Sequence, residues 1–452
     1  MQHFLEEIRA ALDISRTAAS RVSVTGQGAL PSIFAVSDLA AASIAAAAAA
    51  AAELLECTIG TTASVEVSRP LASRWFGCTL QPISWNLPAA WDPIAGDYRG
   101  KDGWIRLHTN APHHRLAALQ VLGVEPEKDA VSEAVAGWDI ERLESAVVDN
   151  KGCAAAMMSL ADWDRHSQGR SVSAEPLVAR RTTEDAGSGE ISPTLDRPLA
   201  GVRVLDLTRV LAGPVATRFL AGLGAEVLRV DPPHWDEPSV VPEVTLGKRC
   251  AELELRRSDG RERFLELLSQ ADVLVHGYRS DALDDLGLDV SCRRNARPGL
   301  VDIALDAYGW TGPWRARRGF DSLVQMSAGI AEAGMRRSGK VQPTPLPVQA
   351  LDHATGYLLA AAAVRGIAER TRTGRGYEAR ASLARTARLL CDAPQCDPSD
   401  DLPALREEDW SPDVEATAFG PARRLQSPVT IAERPLRWER PAARLASSPP
   451  SW

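Results

Sequence analysis

Residues 198–233 read PLAGVRVLDLTRVLAGPVATRFLAGLGAEVLRVDPP, and this stretch decides the fold. Val202-Arg-Val-Leu-Asp-Leu207 has the apolar, β-branched composition of a strand. Gly213-Pro214 opens a helix, with Pro in the first turn, where an N–H would lack an intrahelical partner anyway. Gly222-Leu-Gly224 ends that helix, and Glu226-Val-Leu-Arg-Val230 is the next strand, closing on Asp231. The alternation continues with a strand at 250–255, a helix at 259–270 and strands at 272–275 and 300–305. Strands separated by helices imply an α/β fold with a Rossmann-like, doubly wound parallel sheet.

Upstream, residues 1–13 suggest a short helix, and an alanine-rich helix runs from about Asp38 to Glu56. Val65 to Val67 reads as a strand, residues 80–100 as a loop rich in Pro, Trp and Gly, and Gly103-Trp-Ile-Arg-Leu-His108 alternates like a strand. Two or three helices follow before Met158, which gives a second, smaller α+β domain. Residues 181–198 are poor in bulky apolar side chains and carry Gly, Ser and Pro, the composition of a linker. An offset of 314 sets Asp38 against Asp352, Gly60 against Gly374, Ser68 against Ser382 and Pro31 against Pro345. Each Asp begins a helix rich in small residues, and we read the correspondence as an internal repeat. The segments are then a helix and loop at 1–29, a partial repeat at 30–80 and the small domain at 81–180. The linker at 181–198, the Rossmann-like domain at 199–390 and a wrapping tail at 391–452 complete the chain.

The 452 residues amount to about three domain lengths. Hydrophobic residues make up 45% and charged residues 24%, the balance of an ordinary globular protein. A net charge of −8 argues against nucleic acid as a partner. The seven cysteines are scattered, and Cys391 with Cys396 has no second pair at ligand spacing. His113-His114 is the only histidine cluster, with no carboxylate or Cys at ligand spacing, so neither a metal site nor a disulfide framework is indicated. The apolar run at 39–55 is mostly alanine and reads as a packed helix rather than a membrane span. The acidic, amphipathic opening MQHFLEEIRAALDI does not fit a targeting signal, and the expectation is a cytoplasmic protein.

Asp352 stands just before a helical run, where the commonest role is an N-cap. The same place suits a nucleophilic carboxylate, because the helix end stabilises its charge and nearby amides can hold an oxyanion. On spacing alone the cap is favoured. The first β–α turn would aim amides at a phosphate, although its glycines at 213, 222 and 224 do not form GxGxxG and are equally explained by close helix–sheet packing. Lys248, Arg249 and Arg279 fall at expected strand ends, either to meet phosphates or as solvated charge. Tyr308-Gly-Trp-Thr-Gly-Pro313 and Gly319-Phe-Asp321 are turns that could line a slot for a thioester arm.

The opening stretch is followed by TLGKRCAELEL at 245–255, VLVHGYRSDALDDLGL at 273–288, RPGLVDIALDAYGWTGPW at 297–314, RRGFDSLVQMSAG at 317–329 and ALDHATGYLLAAAAVRGIAERTRTGRGYEARASL at 350–383. Together these resemble the class III CoA-transferase family over residues 199–386. The resemblance implies that Asp352 is the nucleophile and Asp321 its acidic partner. It implies that CoA is held by Val210, Ala212, Lys248, Arg249, Tyr278, Arg279 and Arg318. The implied substrates are an acyl-CoA and a carboxylic acid, with no permanently bound cofactor. The racemase branch has a His where Phe320 stands, and Asp285 stands where some members have a basic CoA contact. Residues 80–103 offer only Gly96, Gly100 and Gly103 in place of a Gly-rich active-site loop. Residues 30–180 resemble the later part of the family order yet come first, which implies a rearranged tandem with a vestigial Asp38. Such a chain would form a homodimer or mimic one by fusion. Two other functions fit the scaffold: an acyl-CoA binder with weakened turnover, favoured by the missing loop, and a non-transferase acyl-CoA enzyme such as an isomerase or dehydratase.

Overall fold

The computed structural model describes residues 1–187, 189, 191–278, 282–396 and 401–452. The N-terminal portion supplies β1 (Val22–Thr25), a 24-residue helix α1 (Val36–Ile59), β2 (Val65–Ser68) and α2 (Arg69–Arg74). After β3 (Leu80–Pro82) comes the small domain, with β4 (Gly96–Arg99), β5 (Trp104–Leu107), α3 (Pro112–Leu122), α4 (Lys128–Ala136), α5 (Ile140–Asp149) and β6 (Ala154–Ala156). Strand β7 (Ala179–Ala186) leads to the larger unit. That unit runs β8 (Arg203–Leu207), α6 (Ala212–Gly222), β9 (Glu226–Asp231), β10 (Lys248–Glu252), α7 (Ser258–Leu268), β11 (Val273–His276) and β12 (Val301–Asp306). It ends with α8 (Asp321–Ser327), α9 (Ala350–Thr373), β13 (Arg375–Ser382) and α10 (Leu383–Asp392). The tail carries β14 (Glu415–Thr417), β15 (Gly420–Arg424), β16 (Val429–Ile431) and β17 (Arg434–Pro435).

The expected α/β sheet is present, with seven strands in the order β10-β9-β8-β11-β12-β13-β7. All neighbours are parallel except β7, which runs antiparallel to β13. Strand β7 corrects the linker reading of 181–198, because residues 181–186 belong to the sheet. Its ladder is made by the backbone, so an edge strand needs few large apolar side chains, and only Thr183 is buried. A second sheet joins β1 to β2 in parallel and β2 to β16 antiparallel, so the tail returns to the N-terminal portion. The small domain is a three-stranded β4-β5-β6 sheet under its helices.

Helix α1 is long and apolar enough to span a membrane, but 89% of its most apolar window is buried inside the protein. Small side chains let it pack side by side with α9, and Glu53 bridges to Arg365 at 3.1 Å across the pair. Both helices have 24 residues and end on a left-handed glycine, Gly60 (φ 68) and Gly374 (φ 71). Each following strand ends on a serine, Ser68 or Ser382, whose hydroxyl caps the next helix. Helix α9 also packs on α6, and Gly356 makes that approach possible. A Cβ there would lie 2.5 Å from the Ala212 carbonyl oxygen. Gly356→Ala is expected to cost about 1–3 kcal/mol by forcing α6 and α9 apart, measured as a shift in the urea midpoint at constant m.

Candidate active site

The C-terminal ends of parallel strands are where an open α/β sheet leaves a crevice. Here that crevice is a cavity of about 890 Å³, reached by Leu207 at the end of β8, Asp231 at the end of β9, Tyr278 after β11 and Asp306 at the end of β12. Val210 and Ala212 line it from the first β–α turn. Val210 sits at φ 64, a conformation a β-branched residue rarely adopts, and donates its N–H to Glu237 Oε2 at 2.8 Å. Tyr278 and Arg318 also line the cavity. Arg279 lies outside the described residues.

Lys248 and Arg249 do not reach the cavity, which corrects the reading of both as phosphate contacts. Strand β10 begins at Lys248, so both stand at its opening, opposite the cavity end. The Lys248 ammonium is buried and donates to Asp206 Oδ2 at 3.0 Å, the Pro214 carbonyl at 3.0 Å and Thr217 Oγ1 at 2.6 Å. Burial opposes charge on Asp206, but Lys248 and Arg229 outweigh it and hold the carboxyl below its usual range. Arg249 donates to Glu226 at 2.9 Å and to the Ser451 carbonyl.

Asp352 does line the cavity. It is not the N-cap of α9, a position held by Gln349, but the third residue of the helix. Its N–H donates to Asp321 Oδ2 at 2.9 Å, while no donor reaches its own carboxyl oxygens among the described residues. Asp321 is 1% exposed and also receives the Gln325 amide, whose oxygen accepts from Leu346 N–H at 2.7 Å. Burial raises Asp321 to about 6. Burial and the neighbouring Asp321 charge push Asp352 well above the carboxylate range. Two buried acids in contact resist double ionisation, so this pair titrates as a unit.

Three cavity features escaped the sequence reading. Arg209 is sandwiched between Trp235 (4.6 Å) and Tyr278 (5.1 Å) and donates to the Tyr278 hydroxyl at 2.9 Å. Asp306 also faces the cavity, and burial raises it to about 8. His113 and His114 reach the same cavity from the small domain. That domain is held against α8 by Phe320 stacked on His108 at 3.8 Å and by the Glu144–Arg317 pair at 2.7 Å. The wide separation of these residues along the chain hid their meeting, although the aromatic and basic residues of TRVLAGP and PPHW were open to suspicion.

Such a crevice is the usual ligand site of an open α/β sheet, and Asp352, at a helix start, lines it. Residues 199–410 match the model described as CoA-transferase family III. An acyl-CoA transferase of Gibberella moniliformis is 29% identical over 306 residues, 62% of this chain and 53% of that one. A succinyl-CoA:glutarate CoA-transferase of Mus musculus is 34% identical over 193 residues, 40% of this chain and 44% of its own. The chain thus spans about half the length of the curated relatives it matches. A crystal structure of a Mycobacterium tuberculosis protein, Rv3272, is 30% identical over 43% of this chain and 57% of its own, with a TM-score of 0.39.

Proposed function

We propose that the chain moves CoA between an acyl-CoA and a carboxylic acid through Asp352. The observation that carries this reading is a buried carboxyl, with no donor on its oxygens among the described residues, in the wall of a crevice of about 890 Å³ at the strand ends. The named activities of the relatives support it. Ionised Asp352 attacks the thioester carbonyl, the C–S bond breaks, and a mixed anhydride forms with CoA thiolate released. The thiolate attacks the aspartyl carbonyl and expels the donor acid, leaving an aspartyl-CoA thioester. The acceptor carboxylate attacks that thioester and expels the thiolate again. The thiolate then takes the acceptor acyl group and frees Asp352. Burial keeps water from each intermediate. Asp321 fixes the start of α9 and delays ionisation of its neighbour.

Incubation with acyl-CoA, quenching in hydroxylamine and peptide mass spectrometry tests this. A hydroxamate is expected at Asp352. Its rate of formation should rise with pH above the usual carboxylate range, because the nucleophile must be ionised and its carboxyl is raised well above that range. Asp321→Asn removes the like charge and should move that profile to lower pH. Tight CoA binding with no adduct would instead support a binder, and product formation without a second acid would support an isomerase or lyase.

We further read the chain as a fusion that supplies two copies of the nucleophile-helix unit, one of them silent. Asp38, the counterpart of Asp352, is paired with Arg69 and kept below the usual carboxylate range against the cost of burial. The residue matching Arg69 in the second copy is Leu383, which lines the cavity. No hydroxamate is expected at Asp38.

A further inference from the structure

We propose that Gln325 is a positioning residue that decides which of the two buried acids gives up its proton first. The inference rests on Asp352 being the nucleophile and adds what governs its ionisation. Gln325 lies one turn along α8 from Asp321 and is fully buried. Its side chain bridges two fixed points: the Leu346 N–H donates to its Oε1 at 2.7 Å, and its Nε2 donates to Asp321 Oδ1. Leu346 stands between Pro345 and Pro347, which have no N–H, so it supplies the one backbone donor of those three residues. A backbone N–H cannot become an acceptor. The Gln325 amide is therefore held in one orientation, with its oxygen on Leu346 and its NH₂ on Asp321.

Asp321 Oδ2 accepts the Asp352 N–H at 2.9 Å, so both Asp321 oxygens face donors, whereas the Asp352 oxygens face none among the described residues. Donors on a carboxylate favour its charged form, and two acids in contact resist carrying two charges. The arrangement places the charge of the resting pair on Asp321 and leaves the proton on Asp352. Burial raises Asp321 to about 6, and the Gln325 amide is the strongest contact opposing that rise, ahead of the Asp352 and Leu351 amides. Without this donor Asp321 would hold its proton longer, Asp352 would no longer meet a charge beside it, and the nucleophile would ionise at lower pH.

The other titratable groups on the elements around α8 leave this balance in place. Arg106 of β5 bears on Asp321 more weakly and is paired with Asp97 at 2.8 Å. Burial takes His108, near Ser322, and His353 of α9 down to about 3 and pushes the Cys153 thiol beside β6 up to about 12, so all three are neutral. Arg385 of α10 is turned to the Glu175 carbonyl at 2.9 Å, and Glu332 of the following helix to Arg336 at 3.7 Å.

The test is a ¹³C titration of protein carrying aspartate labelled at the side-chain carboxyl, the two signals assigned by their loss in Asp321→Asn and Asp352→Asn. In the parent, Asp321 is expected to titrate at lower pH than Asp352. In Gln325→Met, which keeps the side-chain length and loses the donor, Asp352 should titrate lower by at least about one pH unit and Asp321 higher. The pH profile of hydroxamate formation should move down with Asp352, and Gln325→Met added to Asp321→Asn should move it no further. Gln325→Glu keeps the Leu346 bond and, as the acid, still donates to Asp321, so its profile should stay at or above the parent's. An unchanged titration in Gln325→Met, or the same displacement in both variants, overturns the proposal. If Gln325→Met does not fold, Gln325→Glu decides, and a profile below the parent's overturns it. Absence of the hydroxamate in the parent overturns the transfer reading, and the carbon titration still decides which acid ionises first.

Discussion

Asp352→Asn is expected to abolish hydroxamate formation and lower transfer by at least about 10³-fold, since an amide cannot form the anhydride. The same change should stabilise the fold at pH 7. The sign follows from proton linkage. Asp352 holds its proton in the folded chain well above the pH at which an unfolded aspartate releases it. The native state therefore binds more protons than the unfolded state once pH exceeds about 4, and stability falls as pH rises through that window. An asparagine has no such loss. Urea denaturation of both proteins at pH 4 and pH 7 checks this: the gap should be small at pH 4 and open at pH 7. A stabilisation equal at both pH values would show that packing, not ionisation, is responsible. An active site that stores strain in this way trades stability for reactivity.

The second large effect lies away from the cavity. Lys248→Met is expected to cost about 3–5 kcal/mol, because it leaves Asp206 ionised, fully buried and short of its cation. Burial already pulls the Lys248 ammonium below its ordinary range, and only Asp206 and the surrounding oxygens keep it charged. Urea midpoints measure the loss. CoA affinity measured on the folded fraction should hardly change. A lysine acting on phosphates would give the opposite pattern, normal stability with weakened CoA binding.

The parallel sheet was legible because β-branched runs and glycine punctuation repeat along 198–305, and each buried strand needs that composition. Asp352 was legible only as an acid at a helix start, and resemblance rather than spacing raised it above a cap. The fates of Lys248 and Arg249 were not legible. What a cation at the opening of β10 meets is set by tertiary packing, which brings Asp206 of β8 onto the Lys248 ammonium. Strand β7 was missed for a related reason. A sheet edge selects for backbone geometry more than for side chains, so a polar, glycine-bearing stretch can still be a strand. The cavity wall at His114 depends on docking of the small domain, which no local pattern encodes.

The exchange of edge strands has a consequence for how the molecule holds together. Strand β7, which comes from ahead of the larger unit, closes that unit's sheet, and β16 and β17, which come after it, extend the sheet of the N-terminal portion from β2. Each half thus clasps the other by backbone rungs rather than by side chains alone. Separation would require two ladders to be stripped together, so the halves should unfold as one cooperative body, and a single backbone cut between them would leave the pieces fastened.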